Sequence, residues 1–380
     1  MPVLEDLLRL MVKNNGSDLY FTVGSPPIIK IDGRAVPVGE ELLKPGQSLA
    51  LAKEILGVDR LHEFQRDKEV NMALSITGIG RFRVNGFFQR NEISFVLRSI
   101  KTEIPTLEKL HMPPILKELA MSARGLILFV GATGSGKSTS LASMLQYRNT
   151  NAAGHILTIE DPIEYLHRNI KSIVNQREVG IDTLSYENAL ENALREAPDV
   201  ILIGEIRSRD TMDHAVAYAE TGHLCMSTLH ANNSNQAIER IINFFPEERK
   251  KQLLMDLSLN LKAVISQRLL PLKGKPGRIA AMEVLINTPT VADLISRGEV
   301  GLLKTVMARP NDVGMQTFDQ SLVSLYMNGL IEYDDAIRAA DSTNDLRLAI
   351  KMECMRRGLE DPGSKAAEAL TDSWNIGGTA

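Results

Sequence analysis

The chain has 380 residues, 44% hydrophobic and 24% charged, with a formal net charge of −4. It is long enough for two or three domains with a buried core, and it is neither disordered by composition nor basic overall as a nucleic-acid coat would be. Cys225 and Cys354 lie far apart without a CxxC pair, which argues against a disulfide framework or a zinc site.

The amino-terminal stretch MPVLEDLLRLMVKNNGSD carries acids within its apolar residues and has no small-residue cleavage site. It reads as an amphipathic helix over roughly 3–14, not as a signal peptide. A strand pair over 18–23 and 28–31 follows, bounded by Ser25-Pro26-Pro27 and Asp32-Gly33. Helical spacing near 47–66 and strand patterns near 69–76, 80–89 and 92–100 complete an α+β domain over 1–100. Residues 101–117 hold three prolines and little periodicity, and read as an ordered linker.

From 118 to 288, apolar runs alternate with helical segments. Strands are expected at 126–131, 155–160, 172–176, 199–204, 223–228, 264–269 and 279–285, and helices at 136–147, 185–196, 210–220 and 234–243. A continuously apolar run such as Val200-Ile201-Leu202-Ile203 predicts a sheet covered on both faces. A helical region over 289–357 is expected near 289–297, 316–328, 333–340 and 343–356, with a mobile tail over 358–380. The longest apolar runs, such as 126–130, are too short to cross a bilayer, so any membrane association is expected through a partner.

The run at 126–130 ends in Gly131-Ala132-Thr133-Gly134-Ser135-Gly136-Lys137-Ser138-Thr139, and a helix begins near Gly136. A strand, a glycine-rich loop and a helix in that order form a phosphate cradle. Glycines let backbone N–H groups turn inward, and the helix N-terminus adds a positive field. Lys137 would reach the β- and γ-phosphates of ATP, and the Ser138 hydroxyl would bind Mg2+.

Two other apolar runs end in carboxylates: 156–159 runs into Glu160-Asp161-Pro162-Ile163-Glu164, and 200–203 into Gly204-Glu205-Ile206-Arg207. At the carboxyl ends of parallel strands, Glu160, Asp161 and Glu205 could hold hydrated magnesium, and Glu164 or Glu205 could orient the attacking water. Gly204-Glu205 stands where a Walker B strand usually has aspartate. His223 and His230 flank a further apolar strand, and either could sense a γ-phosphate or carry a signal across a subunit boundary. Cys225 within that strand reads as a small hydrophobe.

In this order, GATGSGKST (131–139), TIEDPIEY (158–165), VILIGEIR (200–207) and TGHLCMSTLHA (221–231) resemble the secretion ATPase superfamily of type II secretion and type IV pilus systems. The short N-terminal domain, the lack of a CxxC…CxxC element and GMQTFDQ (314–320) resemble its pilus retraction branch, PilT and PilU. The resemblance implies a small N-terminal α+β (PAS-like) domain, a RecA-like P-loop core and a helical C-terminal region. It also implies a homo-hexameric, ATP-hydrolysing ring with nucleotide at the subunit boundaries, where basic residues complete the site. Arg81, Arg83 and Arg98, and in the core Arg195 and Arg207, are the candidates.

PilT-type members carry an Ala-Ile-Arg-Asn motif after the position of Asn287-Thr288-Pro289, where this chain has Ala292-Asp293 in place of the arginine–asparagine pair. That difference and the extension past 345 are similar to the PilU type. They imply an accessory to a PilT-type retraction ATPase, cytoplasmic, beneath an inner-membrane pilus platform protein. An independent retraction motor is the alternative. A nucleic-acid motor on the same core is disfavoured by the net negative charge and 5% aromatic content.

Overall fold

The computed structural model describes residues 4–309 and 313–360; most of the expected tail, 361–380, lies outside the described residues. The chain divides into two compact units. The first is Met1–Glu103 with Ile163–His167 and Glu178–Leu184; the second is Ile104–Pro162, Arg168–Arg177 and Ser185–Ala380. The two short excursions fall inside the range that the sequence reading assigned to the core.

In the first unit, α1 (Leu4–Lys13) is followed by β1 (Asp18–Phe21), β2 (Ile28–Ile31), β3 (Arg34–Pro37), α2 (Gln47–Asp67), β4 (Glu69–Ile76), β5 (Gly80–Gln89) and β6 (Glu92–Ile100). Helix α1 forms because Leu4, Leu7, Leu8 and Met11 share one face, with Glu5 and Asp6 in its first turn and Lys13 in its last. The strands make an antiparallel sheet in the order β3-β2-β1-β6-β5-β4. Along β5 burial alternates, so Phe82 and Val84 point into the core and Arg81 and Arg83 to the opposite face. The β5–β6 turn sets Arg90 and Asn91 at φ 49° and 63°, the positive values a two-residue primed turn requires.

The second unit runs α3 (Ile115–Ala120), β7 (Gly125–Val130), α4 (Lys137–Asn151), β8 (Gly154–Glu160), β9 (Ser172–Glu178, its last residue in the first unit), α5 (Tyr186–Ala193), β10 (Val200–Ile203), α6 (Arg209–Glu220), β11 (Leu224–Leu229), α7 (Ser234–Asn243), α8 (Glu247–Asn260), β12 (Leu261–Pro271) and β13 (Arg278–Ile286). Its sheet has the order β13-β12-β7-β11-β10-β8-β9. Strands β12, β7, β11, β10 and β8 are parallel, and β13 is antiparallel to β12. Every residue of β7, β10 and β11 is buried, as expected for a sheet covered on both faces.

The C-terminal helices are α9 (Pro289–Ser296), α10 (Leu303–Met307), α11 (Phe318–Met327), α12 (Tyr333–Ala339) and α13 (Thr343–Arg357). They attach to β12 through Arg268, which lies 3.9 Å from the Phe318 ring centroid, donates to the Ala339 carbonyl at 2.7 Å and pairs with Asp341 at 2.7 Å. Lys304 meets the same carboxylate at 2.7 Å.

Five elements depart from the sequence reading, one of them α10, a five-residue helix outside every expected helix. Helix α3 begins inside the expected linker, whose Leu107 and Leu116 join the core of the second unit. Helix α8 was not foreseen, because it buries little beyond Leu253 and Leu257 and leaves Met255 and Leu259 exposed. Strand β3 is exposed throughout and carries no alternation to read. The helix expected over 185–196 ends at Ala193, where a 3-10 turn leads to Ala197 at φ 50°. Among the described residues no helix is long and apolar enough to cross a membrane.

Candidate functional site

The carboxyl ends of β7, β11, β10 and β8 open on one edge of the sheet, because those strands are parallel. The loop after β7 places Gly131, Gly134 and Gly136 at φ 150°, 77° and 91°. A side chain would also collide at two of them. A Cβ at Gly131 would lie 2.6 Å from the Ser135 hydroxyl, and one at Gly136 2.7 Å from Gln267 Nε2. No side chain caps α4 at Gly136, so the first N–H groups of α4 face the loop's hollow. Ser138 is exposed in that first turn, and Ala132, Thr133 and Gly134 form the loop's exposed tip. Ser135 is buried, and its hydroxyl has no partner among the described residues.

Lys137 is 8% exposed, and its ammonium donates to the carbonyls of Gly131 at 2.8 Å and Ala132 at 2.9 Å. Burial lowers its pKa, partly opposed by the charge of Glu205. These observations fit a nucleotide phosphate: a concave backbone without side chains, a helix terminus free of caps and a desolvated cation beside it.

Glu205 follows β10, and β11 holds it in place. Thr228 Oγ1 donates to the Gly204 carbonyl at 2.7 Å, Ile206 N donates to the Thr228 carbonyl at 2.9 Å, and Ser227 Oγ donates to the Ile203 carbonyl at 2.8 Å. The Glu205 carboxylate lies 3.0 Å from His230 Nε2 through one oxygen and accepts from Arg207 Nε at 2.7 Å through the other. The two histidines of β11 therefore part. His230 belongs to the phosphate edge. His223 lies at the opposite end of the strand, within 3.1 Å of Thr221 Oγ1 and 3.3 Å of the Tyr218 carbonyl.

Gly204 explains the missing Walker B aspartate. A Cβ there would lie 2.9 Å from the Tyr186 hydroxyl and 3.2 Å from both Glu160 Cα and the Ile159 carbonyl. Tyr186 opens α5, which Ser185 caps, and its phenol is half-buried among the charges of Asp161, Arg207, Glu160 and Glu205. Burial, then those carboxylates, raises its pKa. Gly204→Ala is expected to cost about 1–3 kcal/mol of stability through this overpacking. Tyr186→Phe should rescue it only in part, since two of the three contacts are backbone; a Gly204→Ala variant that melts with the parent would contradict the crowding.

Glu160 accepts from Thr158 Oγ1 at 2.7 Å and from Gln176 Nε2 at 3.1 Å, and Asp161 is exposed. Among the described residues no three Asp, Glu, His or Cys side chains form a group that could hold a metal. The exposed Ser138 hydroxyl and the carboxylates of Glu160 and Glu205 are oxygen donors of the kind magnesium takes together with substrate phosphates and water. A cleft of about 430 Å³ adjoins Gly131 and Ala132 and is lined by His230, Asn232, Gln236, Glu239, Arg240 and Asn243.

The remaining candidates make contacts of their own. Arg195 is exposed and donates to Asn192 at 3.1 Å. Glu164 is exposed within the first unit, where its charge favours that of Arg98. Arg98 is mostly exposed and bonds Asp18 at 2.8 Å. Arg81 lies 3.8 Å from Asp182, and its Nε is buried without a partner among the described residues. Arg83 acts with Arg81 to oppose the rise that burial imposes on the pKa of Glu178. The sequence reading missed Tyr186, Thr228 and Gln267. None of the three carries a local signal: Gln267 stands in the polar run Ser266-Gln267-Arg268 within β12.

Three comparisons agree with this geometry. Residues 29–313 match the family described as Type II/IV secretion system protein. The type IV pilus ATPase PilU of Pseudomonas aeruginosa is 59% identical over 348 residues, 92% of this chain and 91% of that protein. The type IV pilus retraction ATPase PilT of the same organism is 40% identical over 88% of this chain and 96% of its own length. A crystal structure of the pilus retraction motor PilT with bound ADP superposes with a TM-score of 0.83 at 39% identity, covering 91% of this chain and 99% of that one. Strand order, phosphate loop and relatives converge: the chain belongs to the Type II/IV secretion system protein family, among its PilT/PilU-type pilus ATPases.

Proposed function

We propose that the chain binds ATP with Mg2+ on the 131–139 loop, hydrolyses it with Glu205 and works as a PilU-like accessory motor in pilus retraction. The observation that carries this reading is the buried Lys137 in a glycine cradle, electrostatically coupled to a Glu205 whose two oxygens are held by His230 and Arg207. The ammonium of Lys137 would exchange the carbonyls of Gly131 and Ala132 for β- and γ-phosphate oxygens. Glu205 would orient the attacking water and accept its proton, with His230 fixing the carboxylate and Arg207 able to turn toward charge growing on the γ-phosphate. Magnesium would be held by Ser138, with Glu205, Glu160 and Asp161 acting through its water shell, and would neutralise phosphate charge. The role of Glu164 as a second water-orienting carboxylate rests on its place in the TIEDPIEY motif.

The assembly we propose is a closed homo-hexamer at the cytoplasmic face of the inner membrane. Arg81 and Arg98 of one subunit, with Arg195, would complete a neighbour's nucleotide site. The accessory role is supported by α9. Its exposed Asp293 pairs with Arg297, just past the helix, at 2.5 Å, and Arg297 also lies 3.5 Å from Glu299, so the helix carries an acid where the PilT type has the asparagine of its arginine–asparagine pair, and Ala292 where that type has the arginine. We expect this chain to add force to a PilT-type ring working on a pilus platform protein. Cells carrying it as their sole retraction ATPase should fail to twitch and to take up pilus-bound phage. Normal retraction without a PilT-type partner would contradict the accessory role.

A further inference from the structure

We infer that Gln267, on β12, is a positioning residue that sets the phosphate-binding face of the 131–136 loop. The inference rests on reading that loop as the nucleotide site. Gln267 is 2% exposed, and both ends of its carboxamide are used. Nε2 donates to the Ser135 carbonyl at 2.8 Å, and Oε1 accepts from the Ser140 hydroxyl at 2.7 Å. The Ser135 carbonyl can only accept, so the nitrogen must face it and the amide cannot be flipped.

The consequence follows from peptide geometry. In a trans peptide the C=O of one residue and the N–H of the next point in opposite directions. Holding the Ser135 carbonyl against β12 therefore turns the Gly136 N–H away from β12, into the hollow where a phosphate would lie. Ser140, one turn along α4, also approaches the Gly136 carbonyl at 3.2 Å, so a single network spans the loop's last peptides and the helix they feed. The glycines are fitted to the same strand. A Cβ at Gly136 would meet Gln267 Nε2 at 2.7 Å, and one at Gly131 the Gln267 carbonyl at 2.6 Å. A leucine at this buried position would fill the space but leave the Ser135 carbonyl without its donor.

The test is calorimetric titration of the full-length chain with ADP and, separately, with inorganic pyrophosphate. Gln267→Met keeps the volume and removes both hydrogen bonds. Gln267→Glu keeps the acceptor for Ser140 and sets an oxygen against the Ser135 carbonyl. Each is expected to weaken ADP and pyrophosphate by a similar factor of about ten, because the loss falls on the phosphate contacts that the two ligands share. Using both substitutions guards against one of them failing to fold, which the nucleotide-free melting temperature reports. A packing role alone would lower that temperature and leave both affinities of the folded protein unchanged, and that result would overturn the inference. Lys137→Ala, run alongside, separates the two claims. If it binds ADP as tightly as the parent, the nucleotide-site reading fails. If it loses ADP while folded Gln267 variants bind like the parent, the positioning role alone fails.

Discussion

Lys137→Ala is expected to lower ATP turnover by at least about a hundredfold, the scale seen when one preorganised donor to a reacting oxygen is removed. Nucleotide affinity should fall with it, because the ammonium serves the bound phosphates and not only the transition state. The fold should survive. Lys137 is buried at a desolvation cost that lowers its pKa, and its ammonium donates to two loop carbonyls, one of them on exposed Ala132. Deleting the amine relieves that desolvation, so the nucleotide-free melting temperature should stay within a few degrees of the parent. Equilibrium ADP titration beside phosphate release measures both effects. A variant that turns over normally would remove the loop from the mechanism.

Glu205→Ala should show the opposite division, with turnover reduced about a hundredfold or more and ATP affinity within about threefold of the parent. The carboxylate lies beyond β10, not in the phosphate loop, and it is half-buried between His230 and Arg207. Its loss frees Arg207, an exposed cation that can still approach phosphate, so binding need not suffer. Glu205→Gln is the finer probe. It keeps the size and an acceptor oxygen but cannot take a proton, and should be as slow as the alanine variant if Glu205 is the base. If both variants lose nucleotide binding in step with turnover, Glu205 is a structural residue.

Much of this site could be read from the chain because its parts are local. Strands β7 and β10 are continuous apolar runs, and the phosphate loop and Glu205 follow them directly in sequence. What escaped was carried by distant residues. The TIEDPIEY motif reads as one unit, yet Glu160 and Asp161 belong to the second compact unit and Glu164 to the first, because the chain crosses over after Pro162. Two short excursions of 5 and 7 residues carry no periodicity that announces such a crossing. The glycine at 204 looked like an irregular Walker B, and only the nearness of the Tyr186 hydroxyl and the Ile159–Glu160 backbone shows why no side chain fits. Gln267 lies 132 residues from the carbonyl it holds, beyond the reach of any local pattern.

The central claim is that this chain hydrolyses ATP at the 131–139 loop with magnesium. Phosphate release from saturating ATP by the purified full-length chain, before and after chelation of free magnesium, tests it most directly. The account predicts steady turnover that stops on chelation and returns when magnesium is restored. Turnover that continues unchanged after chelation, or ATP bound at the loop with no phosphate released in the presence of magnesium, would contradict it.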